Sequence, residues 1–189
     1  MVLTGGPGGG KSSLLQRVAQ DVELSRQVAS AEEAIRCLGL LHMSWRQAEF
    51  QCALVGTQMG LECGMEAALA SSAPRLLLFH RGTLDPCAFW ESFGNSRDSF
   101  FAMTGTTRED HYRRYHAVLH LQSAAVHCPE AYVRYPQAHR PETVEEAARL
   151  DGLLGEIWSR HPRYSLVVSR GSFDGKMDEA LEILRWLAR

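Results

Sequence analysis

Apolar positions along this 189-residue chain follow two alternating rhythms. Short continuous runs, at 1–4 and above all at 76–79 after Pro74, suit strands buried on both faces of a sheet. Segments 115–121 and 165–169 read as further strands, and 26–29 as a vestigial one. Elsewhere the apolar residues recur at helical spacing. Leu14, Leu15 and Val18 mark an inner face in a helix over 11–20, and a long, glycine-dotted helix covers 44–70. Shorter helices are expected at 32–38 and 85–93. Thr106-x-x-Glu109 has capping-box form and opens a polar helix that ends near Arg114. The segment 142–160 is a strong helix with an acidic first turn and Pro162 beyond it, and 174–188 is a final amphipathic helix.

Strands alternating with helices predict an α/β fold: a doubly wound, mostly parallel sheet in a three-layer arrangement. The whole of 1–189 reads as a single domain. The stretch 122–140 reads as a long irregular connection, and such a length inside a compact domain points to a functional loop, here a lid-like segment at about 123–145.

Composition narrows the function classes. Apolar residues make up 45% and charged residues 22%, as in ordinary globular proteins. A formal net charge of -2 argues against a nucleic-acid or membrane surface. No apolar run is long enough to span a bilayer, and no signal peptide is expected, since a glycine-rich stretch follows Leu3 almost at once. The cysteines 37, 52, 63, 87 and 128 form no C-x-x-C pair, so reduced thiols in a cytoplasmic protein are the simplest reading. Cys87 reads as a small core residue. His116 and His120 alternate onto one strand face, with His127 just beyond, but their spacing matches no structural metal site. Of 20 basic residues only Lys11 and Lys176 are lysines.

One motif carries specific chemistry. Gly5-Gly6-Pro7-Gly8-Gly9-Gly10-Lys11-Ser12 matches G-x-x-x-x-G-K-[ST] in full, between an apolar strand and a helix that continues through Ser13. Glycines let backbone N–H groups converge on phosphates, and the helix adds the positive end of its dipole. Lys11 supplies a compact charge for the outer phosphates of a nucleoside triphosphate, and the Ser12 hydroxyl is placed to ligate Mg²⁺.

Beyond this loop the chain resembles the P-loop, AAA-type NTPase family that contains the kinase domain of the regulator NadR and the eukaryotic TRPL translocation defect proteins. Val2-Leu-Thr-Gly-Gly-Pro7 is similar to its opening strand, and Phe79-His-Arg-Gly-Thr-Leu-Asp85 to its Asp-Arg-Gly-x-x-Asp segment. Arg114-Tyr-His-Ala-Val-Leu-His-Leu121 resembles a family strand. Arg140-Pro-Glu-Thr-Val-Glu-Glu-Ala-Ala-Arg-Leu-Asp151 resembles a family helix start, and Phe173-x-x-Lys176 its closing motif. The resemblance implies a nucleotide-kinase-like fold that binds ATP or GTP with Mg²⁺. Arg81 and Asp85 would stand at the end of a central strand, where open α/β sheets place ligands. Arg140, with Arg134 before it, would reach the phosphates from the lid.

The chain departs from the family pattern at three places. His80 stands where the family has the acidic residue that holds Mg²⁺ through water, Ser169-Arg170 replaces an Asp-Asn pair near the base, and His116 replaces a strand aspartate. Two functions follow as alternatives: an NTPase or phosphotransferase with an unidentified acceptor, or a non-catalytic nucleotide switch whose lid meets a protein partner.

Overall fold

The computed structural model describes residues 1–31, 34, 44, 46–71, 74–134 and 142–189. Among them are five strands: β1 (Val2–Thr4), β2 (Val28–Ala31), β3 (Leu76–His80), β4 (Val118–Leu121) and β5 (Tyr164–Val167). The helices are α1 (Lys11–Gln20), α2 (Leu24–Gln27), α3 (Ala48–Leu69), α4 (Asp85–Ser92) and α5 (Arg97–Thr104), followed by α6 (Arg108–Arg113), α7 (Ala124–His127), α8 (Pro129–Arg134), α9 (Val144–Trp158) and α10 (Phe173–Leu187).

The strands form one sheet in the order β2-β3-β1-β4-β5, and every pairing is parallel. The sheet is therefore parallel throughout rather than mostly so. β1 lies at its centre, with Val2 opposite both Phe79 and Val118. Side chains alternate between two cores, as the period of a strand requires. Leu3, Leu78, Leu119 and Val167 pack with Leu14 and Val18 of α1 and with Met177, Ala180 and Leu184 of α10. Val2, Phe79 and Val118 pack on the other face with Val55, Cys87, Phe100, Leu154 and Trp158. Helices on both faces of a parallel sheet make three layers.

Local chemistry explains where elements begin. β2 starts two residues later than the sequence suggests because Asp21 caps a preceding turn of helix. Its Oδ1 accepts from the N–H groups of Glu23 (3.0 Å) and Leu24 (2.8 Å). This strand is a full member of the sheet, with four residues in register with β3. The capping box of α6 is Thr107 with Asp110, one residue beyond the expected Thr106 and Glu109. The cause is His111, whose Nε2 pairs with the Thr106 hydroxyl at 2.9 Å and draws that side chain inward. α5 was not anticipated, although Ser96 caps its start and Gly105, at φ 63°, ends it in the left-handed region. The helix expected at 32–38 lies largely outside the described residues. In place of an irregular connection from residue 122, α7 and α8 follow β4 directly.

Asp85, fully buried at the start of α4, fixes the relation of three elements. Its Oδ2 accepts from the Thr4 hydroxyl at 2.9 Å, and its Oδ1 accepts from the indole N–H of Trp158 at 2.7 Å. Removing a buried donor leaves the carboxylate oxygen without its partner. Trp158→Phe is therefore expected to lower stability by about 2–4 kcal/mol, read as a shift in urea midpoint at unchanged slope.

Candidate functional site

The glycine loop leaves the end of β1 between β3 and β4 and enters α1 at Gly10, which lies in the left-handed region at φ 92°. Its chemistry depends on which way its peptide groups point, and each carbonyl from Gly5 to Gly9 meets a donor. Gly5 O accepts from Lys11 Nζ at 2.6 Å and from Arg81 Nη1 at 3.4 Å. Gly6 O accepts from Lys11 Nζ at 3.0 Å and from the Gly9 N–H at 3.2 Å. Pro7 O accepts from the Ser123 hydroxyl, Gly8 O from the Ala124 N–H at 3.3 Å, and Gly9 O from Lys176 Nζ at 2.8 Å. In a trans peptide the N–H points away from its C=O. Carbonyls of residues 7–9 turned toward 123–124 and Lys176 therefore direct the Gly10 N–H away from them, into the open first turn of α1. Glycine is required sterically at Gly5 (φ 130°), where a Cβ would lie 2.2 Å from Leu121 O.

A buried carboxylate holds the loop from the other side. Asp151, on α9, accepts at Oδ1 from the Gly6 N–H (2.7 Å), the Ser123 N–H (3.0 Å) and His120 Nε2 (3.0 Å). The Tyr164 hydroxyl meets the second nitrogen of His120 at 2.7 Å. Burial by itself would raise the Asp151 carboxyl, but the donors of His120, Gly6 and Ser123 outweigh it and hold the group below the ordinary carboxylate range.

Arg81 follows β3 with φ 72°, which is rare for a residue with a side chain. The turn is held by its N–H to Leu3 O at 2.9 Å and by its carbonyl, which accepts from Gln58 Nε2 at 3.4 Å. The guanidinium lies over the Phe89 ring, reaches Gly5 O, and pairs with Asp85 Oδ2 at 3.3 Å. Behind it runs a buried polar network. Glu62 of α3 accepts from Gln58 (2.9 Å), from Arg114 Nε and Nη2 (2.9 and 2.7 Å) and from the Tyr115 hydroxyl (2.6 Å). The Tyr115 oxygen in turn accepts from the Thr83 N–H at 2.7 Å.

The sequence-derived residues thus divide. Lys11 and Arg81 converge on the Gly5 carbonyl of the glycine loop. Ser12 is exposed in the first turn of α1, where its hydroxyl can reach a ligand, and Ser13 is half-buried beside it. Asp85 is adjacent, but fully enclosed by Thr4, Arg81 and Trp158. His80 ends β3 as a buried residue at the same sheet edge. Arg140 lies outside the described residues, as does the side chain of Arg134. Cys87 is buried, and burial pushes its thiol up to about 12. His116 lies outside β4 against Arg163, away from His120.

Sequence reading missed Asp151, Ser123 and Lys176 as partners of the loop. For Lys176 the available signals were the rarity of lysine and its place in the Phe173-x-x-Lys176 motif. Asp151 closes the family-like helix motif, but nothing there points to the loop, and Ser123 carries no signal at all, because their contacts span 145 and 116 residues of chain.

Two outcomes follow from this geometry. Lys11→Ala should weaken nucleoside triphosphate binding far more than nucleoside binding in calorimetric titrations, because the charge expected to meet the outer phosphates is lost. The second concerns His111, fully buried between the hydroxyls of Thr83 (2.8 Å) and Thr106, where burial lowers its pKa to about 4. The unfolded chain then binds more protons between about pH 6.5 and 4, so stability is complete above that window and falls as the pH drops through it. His111→Asn should remove about 3 kcal/mol of the acid-induced loss, measured as the difference in urea stability between pH 7 and pH 4.

Comparison with known proteins agrees with this architecture. Two solved structures of deoxyadenosine kinase from M. mycoides share the fold. The one with bound dATP superposes with a TM-score of 0.63 at 10% identity, covering 97% of this chain and 98% of that one. The one with the products dCMP and a flexible dCDP gives 0.59 at 12% identity, covering 98% of each. Among curated protein sequences nothing matches. A family model described as an AAA domain matches residues 1–176, which includes the glycine loop, Arg81, Asp151 and Lys176. The chain belongs to this AAA domain family, built on a P-loop, nucleotide-kinase-like fold.

Proposed function

We propose that this chain binds a nucleoside triphosphate, ATP or GTP, with its outer phosphates in the loop 5–12, and transfers a phosphoryl group to a small hydroxyl acceptor. One observation carries the reading: Lys11 and Arg81, from different elements, both reach the Gly5 carbonyl at the open end of the loop. A carbonyl oxygen is a weak substitute for a phosphate oxygen. Phosphate oxygens entering there exchange neutral acceptors for charged ones, while the N–H groups at the start of α1 add their dipole. Lys11 then neutralises charge on the β- and γ-phosphates, and Arg81 faces the group in transfer. Asp85 acts indirectly, by orienting Arg81. Positioning and charge neutralisation make up most of the catalysis in this chemistry.

The Ser12 hydroxyl suits one position of a Mg²⁺ shell completed by phosphate oxygens and water, since this ion takes oxygen ligands and keeps several waters. Mg²⁺ bound there would neutralise phosphate charge. The likeness to deoxyadenosine kinase makes nucleosides the first acceptors to test, and the resemblance to the NadR kinase domain keeps other ribosides in the panel. A role for Arg140, and for a protein partner at the lid, rests on the family resemblance.

His80 favours a second reading, that of a nucleotide-binding switch. An imidazole at the end of β3 supplies no negative charge to orient metal-bound water. Mg²⁺ should therefore improve triphosphate binding only modestly, and turnover should be slow beside a median enzyme rate of about 10 s⁻¹. The test is titration with ATP and GTP, with and without Mg²⁺, then steady-state hydrolysis and acceptor assays on wild type and His80→Asp. For a switch, the aspartate raises both Mg²⁺ dependence and hydrolysis. If His80 serves as general base for the acceptor hydroxyl, the same change lowers transfer. Absence of triphosphate binding by the wild type would sink both readings.

A further inference from the structure

The Gly9–Gly10 peptide has an unusual problem. With glycine on both sides, no Cβ opposes rotation of its plane, and the two orientations present opposite groups to a ligand. In one, the Gly10 N–H faces the open mouth of the loop. In the other, the Gly9 carbonyl does, and it would repel a phosphate.

The second lysine of the chain meets that peptide. Lys176 enters from the first turns of α10, between Phe173 and Met177, whose side chains approach within about 3.0 and 3.1 Å of where a Gly10 Cβ would lie. It is 3% exposed, and its ammonium donates to Gly9 O at 2.8 Å and to Gln122 O at 2.5 Å. One cation thus ties the loop to the end of β4 and keeps the Gly9 carbonyl turned inward. We propose that Lys176 is a positioning residue of the nucleotide site, which fixes the Gly9–Gly10 peptide with its N–H toward the phosphates. The inference rests on the nucleotide-binding reading and adds a residue that acts through the backbone rather than on the ligand.

Charge is part of this function. A buried ammonium polarises both carbonyls and adds positive potential beneath the loop, both of which weaken when the proton leaves. Burial lowers the Lys176 pKa to about 8, partly offset by the carboxylate of Asp151 facing it from α9. His127 faces it from α7 and is itself held below its ordinary value, by burial first and by Lys176 second. Across pH 7–9 His127 therefore stays neutral and Asp151 ionised, while Lys176 changes charge.

The test is calorimetric titration of the full chain with ATP and with adenosine. Lys176→Met should weaken ATP binding about tenfold or more and leave adenosine binding unchanged, a split that general loosening of the fold would not produce. In the wild type, ATP affinity should fall as pH rises from 7 to 9, and Lys176→Arg, charged throughout, should abolish that slope. If Lys176→Met does not fold, the wild-type and Lys176→Arg pH profiles decide. Equal ATP affinity in Lys176→Met and wild type, or a wild-type affinity flat across that range, overturns the proposal. A wild type that binds no ATP at pH 7 refutes the nucleotide reading itself, and the inference with it.

Discussion

A loop made almost wholly of glycine cannot set its own conformation, and much of this structure answers that constraint. Residues 5–10 contain five glycines and one proline, so the orientation of each peptide has to come from groups elsewhere. Those groups come from the elements around the end of β1: Lys11 from α1, Arg81 from just after β3, Ser123 and Ala124 from the start of α7, Asp151 from α9 and Lys176 from α10. The parallel sheet matters because it delivers all of these to one edge. Its two cores matter because they hold α9 and α10 at the distances a hydrogen bond allows.

Around this loop the cations and carboxylates are unevenly distributed. Carboxylates near the site are spent on structure: Asp85 on Thr4, Arg81 and Trp158, Glu62 on Gln58, Arg114 and Tyr115, and Asp151 on the loop itself. Each is satisfied by several donors, as burial of a charge demands. At the end of β3, where the family resemblance implies an acidic side chain, stands His80. On the proposed function the cations serve anion recognition while these carboxylates serve the fold, which is why affinity and turnover need to be measured separately.

Sequence reading was sound where the information is local. The glycine loop between a strand and a helix, the strand 76–79 and the helix after residue 142 depend on spacing within one turn or one strand, and all lie where expected. The departures have causes that pattern alone does not reveal. Thr106 reads as a cap in the sequence because its competitor, the ring of His111, becomes its partner only once α6 has formed. Asp85 reads in the sequence as a site residue beside Arg81, and the structure adds that it is enclosed. Its enclosure depends on Trp158, seventy-three residues away, and on Thr4, eighty-one away. The contacts of Asp151 and Ser123 with the loop were not legible for the same reason, since long-range pairing leaves no trace in a single sequence.

The scarcity of lysine has a practical consequence for chemical labelling. Both lysine side chains, at 11 and 176, end on carbonyls of the same short loop, and both are buried. An amine-selective reagent has no surface lysine on which to be consumed. Apart from the chain's own α-amino group, any acylation of this protein would fall on groups that shape the loop, so that the extent of reaction would report how often the loop opens.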